Sequence, residues 1–121
     1  MALPRRLRLT RKDQYDRVLK ERVILLRNGP FRIYAVGSTK SVPRLGLIVG
    51  KRHARRAVDR NRIKRALQES FYQDHHRFEA CDIVVQLVDT VPATPLREQL
   101  STLWPSLLAT LEKKHNDPTS V

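Results

Sequence analysis

An apolar stripe threaded through a run of cations constrains this fold more than any other feature. Between Lys51 and Arg65 the chain carries eight of its 24 Lys and Arg residues against one acid, Asp59. A disordered basic tail would have no order beyond its charge. Here Ala57, Val58, Ile63, Ala66, Leu67 and Phe71 recur at spacings that fit a helix with one buried face. At about 100° per residue, Ile63, Ala66, Leu67, Ser70 and Phe71 share one arc. Asn61, Lys64, Arg65 and Gln68 lie opposite, with Arg62 at their edge. Arg60 falls near the apolar boundary, where its long stem can snorkel outward from the first turn. The run reads as a helix that starts near Ala57, or at an Asp59 N-cap, and ends near His75.

Seven of the formal net +12 charges sit in that stretch. One acid cannot neutralise eight cations, so the strip calls for an external polyanion, and nucleic acid is the first partner to consider. Arginine forks match phosphate oxygens, and the Asn61 amide can both donate and accept near a ribose or base. The helix N-terminus adds free N–H groups to the same anion site. The plainer alternative is a solvated charged face. Charge by itself does not separate RNA from DNA.

Other classes recede. The apolar stretches Val23–Leu26 and Ile83–Val88 fall far short of the roughly 20 residues a membrane span needs. The basic start has no apolar segment after it, as a signal peptide would. Cys81 is the only cysteine, which excludes an internal disulfide and a zinc finger. A cytoplasmic protein is the simplest reading, and 121 residues suffice for one domain with a core.

Along the chain, Thr10 with Asp13 three residues on suggests the cap of a helix over about 11–20, with Tyr15, Val18 and Leu19 on one face. Asn28-Gly29-Pro30 signals a turn. Strands are expected at 23–26, at 31–36 by alternation, at 44–50, and at 81–88, where the run is β-branched. Leu96, Leu100, Leu103, Leu107 and Leu111 predict a C-terminal helix, which Pro105 should bend or restart. The expected fold class is an α+β two-layer sandwich in the order αβββαβα. Residues 1–9 read as a basic arm, either ordering on RNA or merely solubilising. Residues 10–114 read as a single RNA-binding domain and 115–121 as a mobile tail.

The longer context of the helix carries a resemblance. Ala57-Val58-Asp59-Arg60-Asn61-Arg62-Ile63-Lys64-Arg65, preceded by Gly46-Leu47-Ile48-Val49-Gly50-Lys51-Arg52, resembles the signature of the protein subunit of bacterial ribonuclease P. The likeness extends from about Leu9 to Leu108. It implies a βαβ crossover of left hand, where sequence physics alone predicts the right hand. It implies a protein cofactor of a ribonucleoprotein endonuclease, with Mg²⁺ and the chemistry both on the RNA and no catalytic residue in this chain. Lys51, Arg52, Arg55, Arg56, Arg60, Asn61, Arg62, Lys64 and Arg65 would then contact the catalytic RNA. Tyr15, Leu19, Arg32 and Tyr34 would hold the 5′ leader of precursor tRNA and promote 5′ maturation at low Mg²⁺. The implied partners are the catalytic RNA and precursor tRNA, with no membrane and no obligatory protein partner. Tyr15 stands where the family commonly has Phe, Leu19 where it often has a second aromatic, Ala54 where it often has Gly, and Asp89 where it tends to be basic.

Part of the cleft stands on the residues themselves. A single strand needs π-faces flanked by cations, and Tyr34 shares a strand face with Arg32 in a chain of 6% aromatic content. Tyr15 read from sequence alone is foremost the core anchor of its helix, and only the resemblance sets a stacking role level with that. His75 and His76, with Asp74 and Glu79 nearby, invite a nuclease reading. Adjacent histidines on a helix point about 100° apart and chelate poorly, so they read as exposed residues ending a helix. A ribosomal or ribosome-assembly RNA-binding protein is the alternative function.

Overall fold

The computed structural model describes residues 3–92 and 95–115. Among these residues four helices are present: α1 (Lys12–Glu21), α2 (Ala57–Asp74), α3 (Leu96–Leu100) and α4 (Leu103–His115). The strands are β1 (Ile24–Asn28), β2 (Phe31–Gly37), β3 (Arg44–Ile48) and β4 (Cys81–Leu87). Short 3-10 turns cover Arg5–Leu7 and His75–Arg77. The expected order αβββαβα is met, with the last helix in two pieces. Its break falls at Ser101–Thr102, ahead of Pro105. Pro105 thus sits in the first turn of α4, where its missing N–H has no intrahelical partner to lose.

The sheet runs β1-β2-β4-β3. β1 and β2 form a hairpin in which Asn28 pairs with Phe31, so Gly29-Pro30 makes the turn. Gly29 has φ +57°, a left-handed conformation that glycine adopts without steric cost. β2 pairs antiparallel with β4, and β3 pairs parallel with β4 across the α2 connection. β4 is therefore central, which explains its nearly continuous apolar run.

The two sheet faces differ. Ile24, Phe31, Ile33, Ala35, Leu45, Ile83 and Val85 point to the main core, with Ile63, Leu67 and Phe71 of α2 and Leu103, Trp104 and Leu107 of α4. Trp104 Nε1 donates to Ser70 Oγ at 2.8 Å, which satisfies the indole inside the α2–α4 contact. The opposite face carries a smaller cluster of Leu9, Val18, Tyr34, Val36 and Val84, joined by Tyr15, Leu19 and Ile48. α1 thus covers part of the second face, adding a partial layer to the expected two.

Several local expectations are corrected. The cap of α1 is not a Thr10–Asp13 box: Gln14 Oε1 accepts from the N–H groups of Thr10 (2.7 Å) and Arg11 (3.0 Å). Asp13 instead pairs with Arg11 at 3.3 Å. α2 starts at Ala57 with Arg56 as N-cap, so Asp59 lies in its first turn. Ala57 and Val58 do not belong to the buried stripe, and Val58 is 64% exposed. Both precede the point where α2 reaches the core at Ile63.

The segment before α1 is packed. Leu3, Leu7 and Leu9 are buried, while Arg5 and Arg6 are exposed. Arg8 bridges Leu45 in parallel fashion, and Leu9 N–H donates to the Leu45 carbonyl at 3.0 Å. The tail expected at 115–121 lies, apart from His115, outside the described residues.

Candidate nucleic-acid interface

The cationic strip takes shape from the packing of α2. Burial of Ile63, Leu67 and Phe71 leaves Asn61, Arg62 and Arg65 exposed, with Lys64 and Gln68 half-buried beside them. The preceding loop adds Lys51, Arg52, Arg55 and Arg56, all exposed. The one acid is already engaged: Arg56 forks onto Asp59 at 2.7 and 3.1 Å. The hydrogen bonds from Arg56, followed by its charge and that of Arg62, hold the Asp59 carboxyl below its ordinary range. Among the described residues, Arg56–Asp59 is the ion pair seen within the strip.

Arg60 departs from the outward path drawn for it. Its Nη1 donates to the carbonyls of Ala54 (3.0 Å) and Arg55 (2.8 Å). It thereby ties the loop to the first turn of α2. A sequence wheel places side chains by angle and cannot show that two loop carbonyls would need a donor there.

The second sheet face carries the other expected residues. Register aligns three rows across the strands. Arg44, Asp82 and Val36 form the first, and Gly46, Val84, Tyr34 and Leu25 the second. The third row is Ile48, Gln86, Arg32 and Arg27. α1 covers the second row. A Cβ built on Gly46 would lie 2.7 Å from the Tyr15 ring, so only glycine admits that ring. The Tyr15 hydroxyl accepts the Leu47 N–H at 3.1 Å. Together with Leu9 it occupies backbone groups on the outer edge of β3.

Tyr34 is 8% exposed, its hydroxyl donates to Gln86 Oε1 at 2.9 Å, and the Arg22 guanidinium lies 5.7 Å over its ring. Leu19 packs in the same cluster. So Tyr15, Leu19 and Tyr34 meet in one cluster, and Arg32 flanks it in the next row, half-buried. That third row lies beyond the cover of α1 and has an open surface: none of its four members is buried.

Two acids mark the ends of the β4 region. Asp82 is the one buried charged residue among those described. Arg44 forks onto it at 2.9 and 2.8 Å, and Arg17 of α1 reaches it at 3.3 Å. Arg17 also donates to the Gly37 carbonyl at 2.9 Å, so α1 is fastened to the sheet by polar contacts as well as by Val18. At the other end, exposed Asp89 pairs with Arg27 at 3.4 Å.

Two residues escaped the sequence reading. Gln86 is a lone polar side chain in the β-branched run, two positions from Val84 and four from Asp82, hence on the cleft face. Arg27 enters only through the cross-strand register, which no local pattern reveals. His75 and His76 form no metal site: among the described residues, no three His, Cys, Asp or Glu side chains converge to hold a metal. No described helix is long and apolar enough to cross a membrane.

In sequence and in fold the chain is similar to known proteins. The family model described as Ribonuclease P matches residues 3–111. A Ribonuclease P protein component from Chromohalobacter salexigens is 34% identical over 116 residues, covering 93% of this chain and 91% of the relative. One from Escherichia coli O157:H7 is 38% identical over 109 residues, covering 86% and 89%. Among solved structures, the RNase P protein of Staphylococcus aureus superposes with TM-score 0.76 at 26% identity, over 86% of this chain and 94% of that one. The RNase P protein of Thermotoga maritima gives 0.62 at 26% identity, over 88% and 96%.

Proposed function

This chain belongs to the Ribonuclease P protein family, and from that premise we propose how it serves the tRNA-processing ribonucleoprotein enzyme of which it is a subunit. The α2 strip and the Lys51–Arg56 loop bind the catalytic RNA. The cleft bounded by α1 and the open row of the sheet holds the 5′ leader of precursor tRNA. Work of this kind places the protein in the cytoplasm. The observation that carries the reading is the unpaired charge: the strip keeps its cations exposed while its single acid is spent on Arg56. A polyanion is the partner that relieves that repulsion, and each phosphate neutralised releases counterions.

The division of labour follows from the chemistry available. Lys51, Arg52, Arg55, Arg62, Lys64 and Arg65 offset phosphate repulsion between two polyanions, with Asn61 adding a neutral donor and acceptor. Arg56 and Arg60 shape the loop as well as charging it. In the cleft, Tyr15 and Leu19 form the wall, Tyr34 its floor, and Arg32 the flanking cation. With Tyr34 so enclosed, stacking on it requires Arg22 to move aside. Mg²⁺ works with the RNA subunit, and among the described residues no three His, Cys, Asp or Glu side chains converge to hold a metal. The protein lowers the Mg²⁺ requirement by neutralising phosphates that the ion would otherwise screen.

We also take the β3–α2–β4 crossover to be left-handed. Leu45 sends its carbonyl to Leu9, away from β4, and its side chain to the face covered by α2. For an L-residue on an ascending strand with its side chain toward the viewer, the backbone N–H and C=O point right. β4 then lies to the left of β3 with the helix in front, opposite to the usual hand.

The test is cleavage of a 5′-extended precursor tRNA at low Mg²⁺ with a bacterial ribonuclease P RNA, with and without this protein, plus a protein-alone lane. Cleavage that needs both supports the proposal. Cleavage by protein alone, or tight RNA binding with no stimulation, overturns it.

A further inference from the structure

Gln86 is the only residue of β4 that is not buried. In the register it stands between Ile48 of β3 and Arg32 of β2, in the row that α1 leaves uncovered. Its Oε1 accepts the hydroxyl of Tyr34, which is itself held in the packed cluster. That bond fixes one end of the carboxamide. Its Nε2 has no protein partner among the described residues. The side chain therefore presents two N–H donors from a set orientation, between an apolar neighbour and a guanidinium.

The row is rich in donors. Arg32 and Arg27 can only donate, Gln86 offers two N–H donors while its oxygen already accepts from Tyr34, and Asp89 is paired with Arg27. A base that offers a carbonyl oxygen meets such a surface well. A base that offers an amino group sets N–H against N–H. Uracil and guanine carry a carbonyl where cytosine and adenine carry an amino group.

We propose that Gln86 reads one base of the single strand in the cleft and favours uracil or guanine over adenine or cytosine there. This rests on the reading that the leader lies in the cleft. Ile48 supplies the apolar floor beside the contact, Arg32 the neighbouring phosphate or second base contact, and Tyr34 acts as the positioning residue that keeps Nε2 outward.

The experiment uses the reconstituted holoenzyme and precursor tRNAs in which each leader position is varied through all four bases. With the native protein, one position should favour uracil and guanine by about threefold to tenfold in affinity, the range of one net hydrogen bond. Gln86→Leu should flatten that preference. Gln86→Glu should invert it, because a carboxylate accepts only and suits amino groups, while Tyr34 can still donate to it. Binding of each variant to the catalytic RNA alone should stay unchanged, which controls for folding. An equal preference in the native and Gln86→Leu proteins, or no base preference at any position, overturns the proposal while leaving leader binding intact. A native holoenzyme that binds precursor and leaderless tRNA alike removes the leader reading itself, and the role of Gln86 with it.

Discussion

Arg60 Nη1 lies 3.0 Å from the carbonyl oxygen of Ala54, so the first arginine of the Arg-Asn-Arg motif is turned into the protein. Its neighbour Arg62 is exposed. The two arginines should therefore fail differently. Arg62→Ala should lower the salt slope of catalytic-RNA binding by about one. Arg60→Ala should leave that slope nearer the native value and instead free the loop, so that limited trypsin digestion cuts faster at Arg55 and Arg56. Equal slopes for both variants, with no change in digestion, would mean that Arg60 also reaches phosphate.

Gly46 and Tyr15 should be coupled. A methyl at Gly46 meets the Tyr15 ring at 2.7 Å, and the ring cannot swing away without losing the Leu47 N–H. Gly46→Ala should cost about 1–3 kcal/mol in urea denaturation, the range of overpacking. In a Tyr15→Ala background the same change should cost much less, which a double-mutant cycle reads directly.

The buried carboxylate of Asp82 joins Arg44 of β3 to Arg17 of α1. Asp82→Asn should destabilise the fold by about 2–4 kcal/mol, because the forked arginine loses its charge partner where water reaches poorly. The wall of the cleft should loosen with it. Hydrogen exchange should rise in α1 more than in α2, whose apolar packing is on the other face.

Asp89 cancels a cation at one end of the open row. Asp89→Asn frees Arg27, so affinity for precursor with a long leader should rise about twofold to fivefold at low salt, within the worth of an exposed pair. Leaderless tRNA should be unaffected. A gain that is equal for both RNAs would place Asp89 outside the leader path.

Burial pushes the Cys81 thiol up to about 12, with the charges of Asp82 and Glu79 adding to it. In the unfolded chain it ionises from about 9. Between those values the unfolded state binds fewer protons than the folded one, so stability falls as pH rises, by up to about 1.4 kcal/mol per pH unit. Cys81→Ala should flatten that part of the stability profile. Alkylation of the native thiol at pH 8 should be slow compared with the protein in urea.

What the sequence made legible was whatever repeats locally. The 3.6-residue stripe of Ile63, Leu67 and Phe71, the alternation over Phe31–Val36 and the unbroken β4 run located α2, β2 and the central strand. The cationic strip followed, since it is the back of that stripe. What stayed hidden depends on partners distant in sequence. Gln86 and Arg27 join Arg32 only through pairing across three strands. Arg60 turns inward because Ala54 and Arg55 leave carbonyls to satisfy. Asp82 is tolerable inside only because Arg17 and Arg44, 65 and 38 residues away, converge on it.

The strand order also bears on how a growing chain reaches this state. β4 is made last of the four strands yet sits between β2 and β3. Until residues 81–87 leave the ribosome, only the β1–β2 hairpin can pair; β3 has no strand beside it and α2 no completed sheet to rest on. The long-range closure of Arg17 on Asp82 comes late for the same reason. During that interval the basic segment of α2 is already synthesised and unburied, surrounded by ribosomal RNA, a polyanion it is built to attract. Completion of the sheet, and with it the burial of the apolar stripe of α2, therefore waits on the arrival of a single strand.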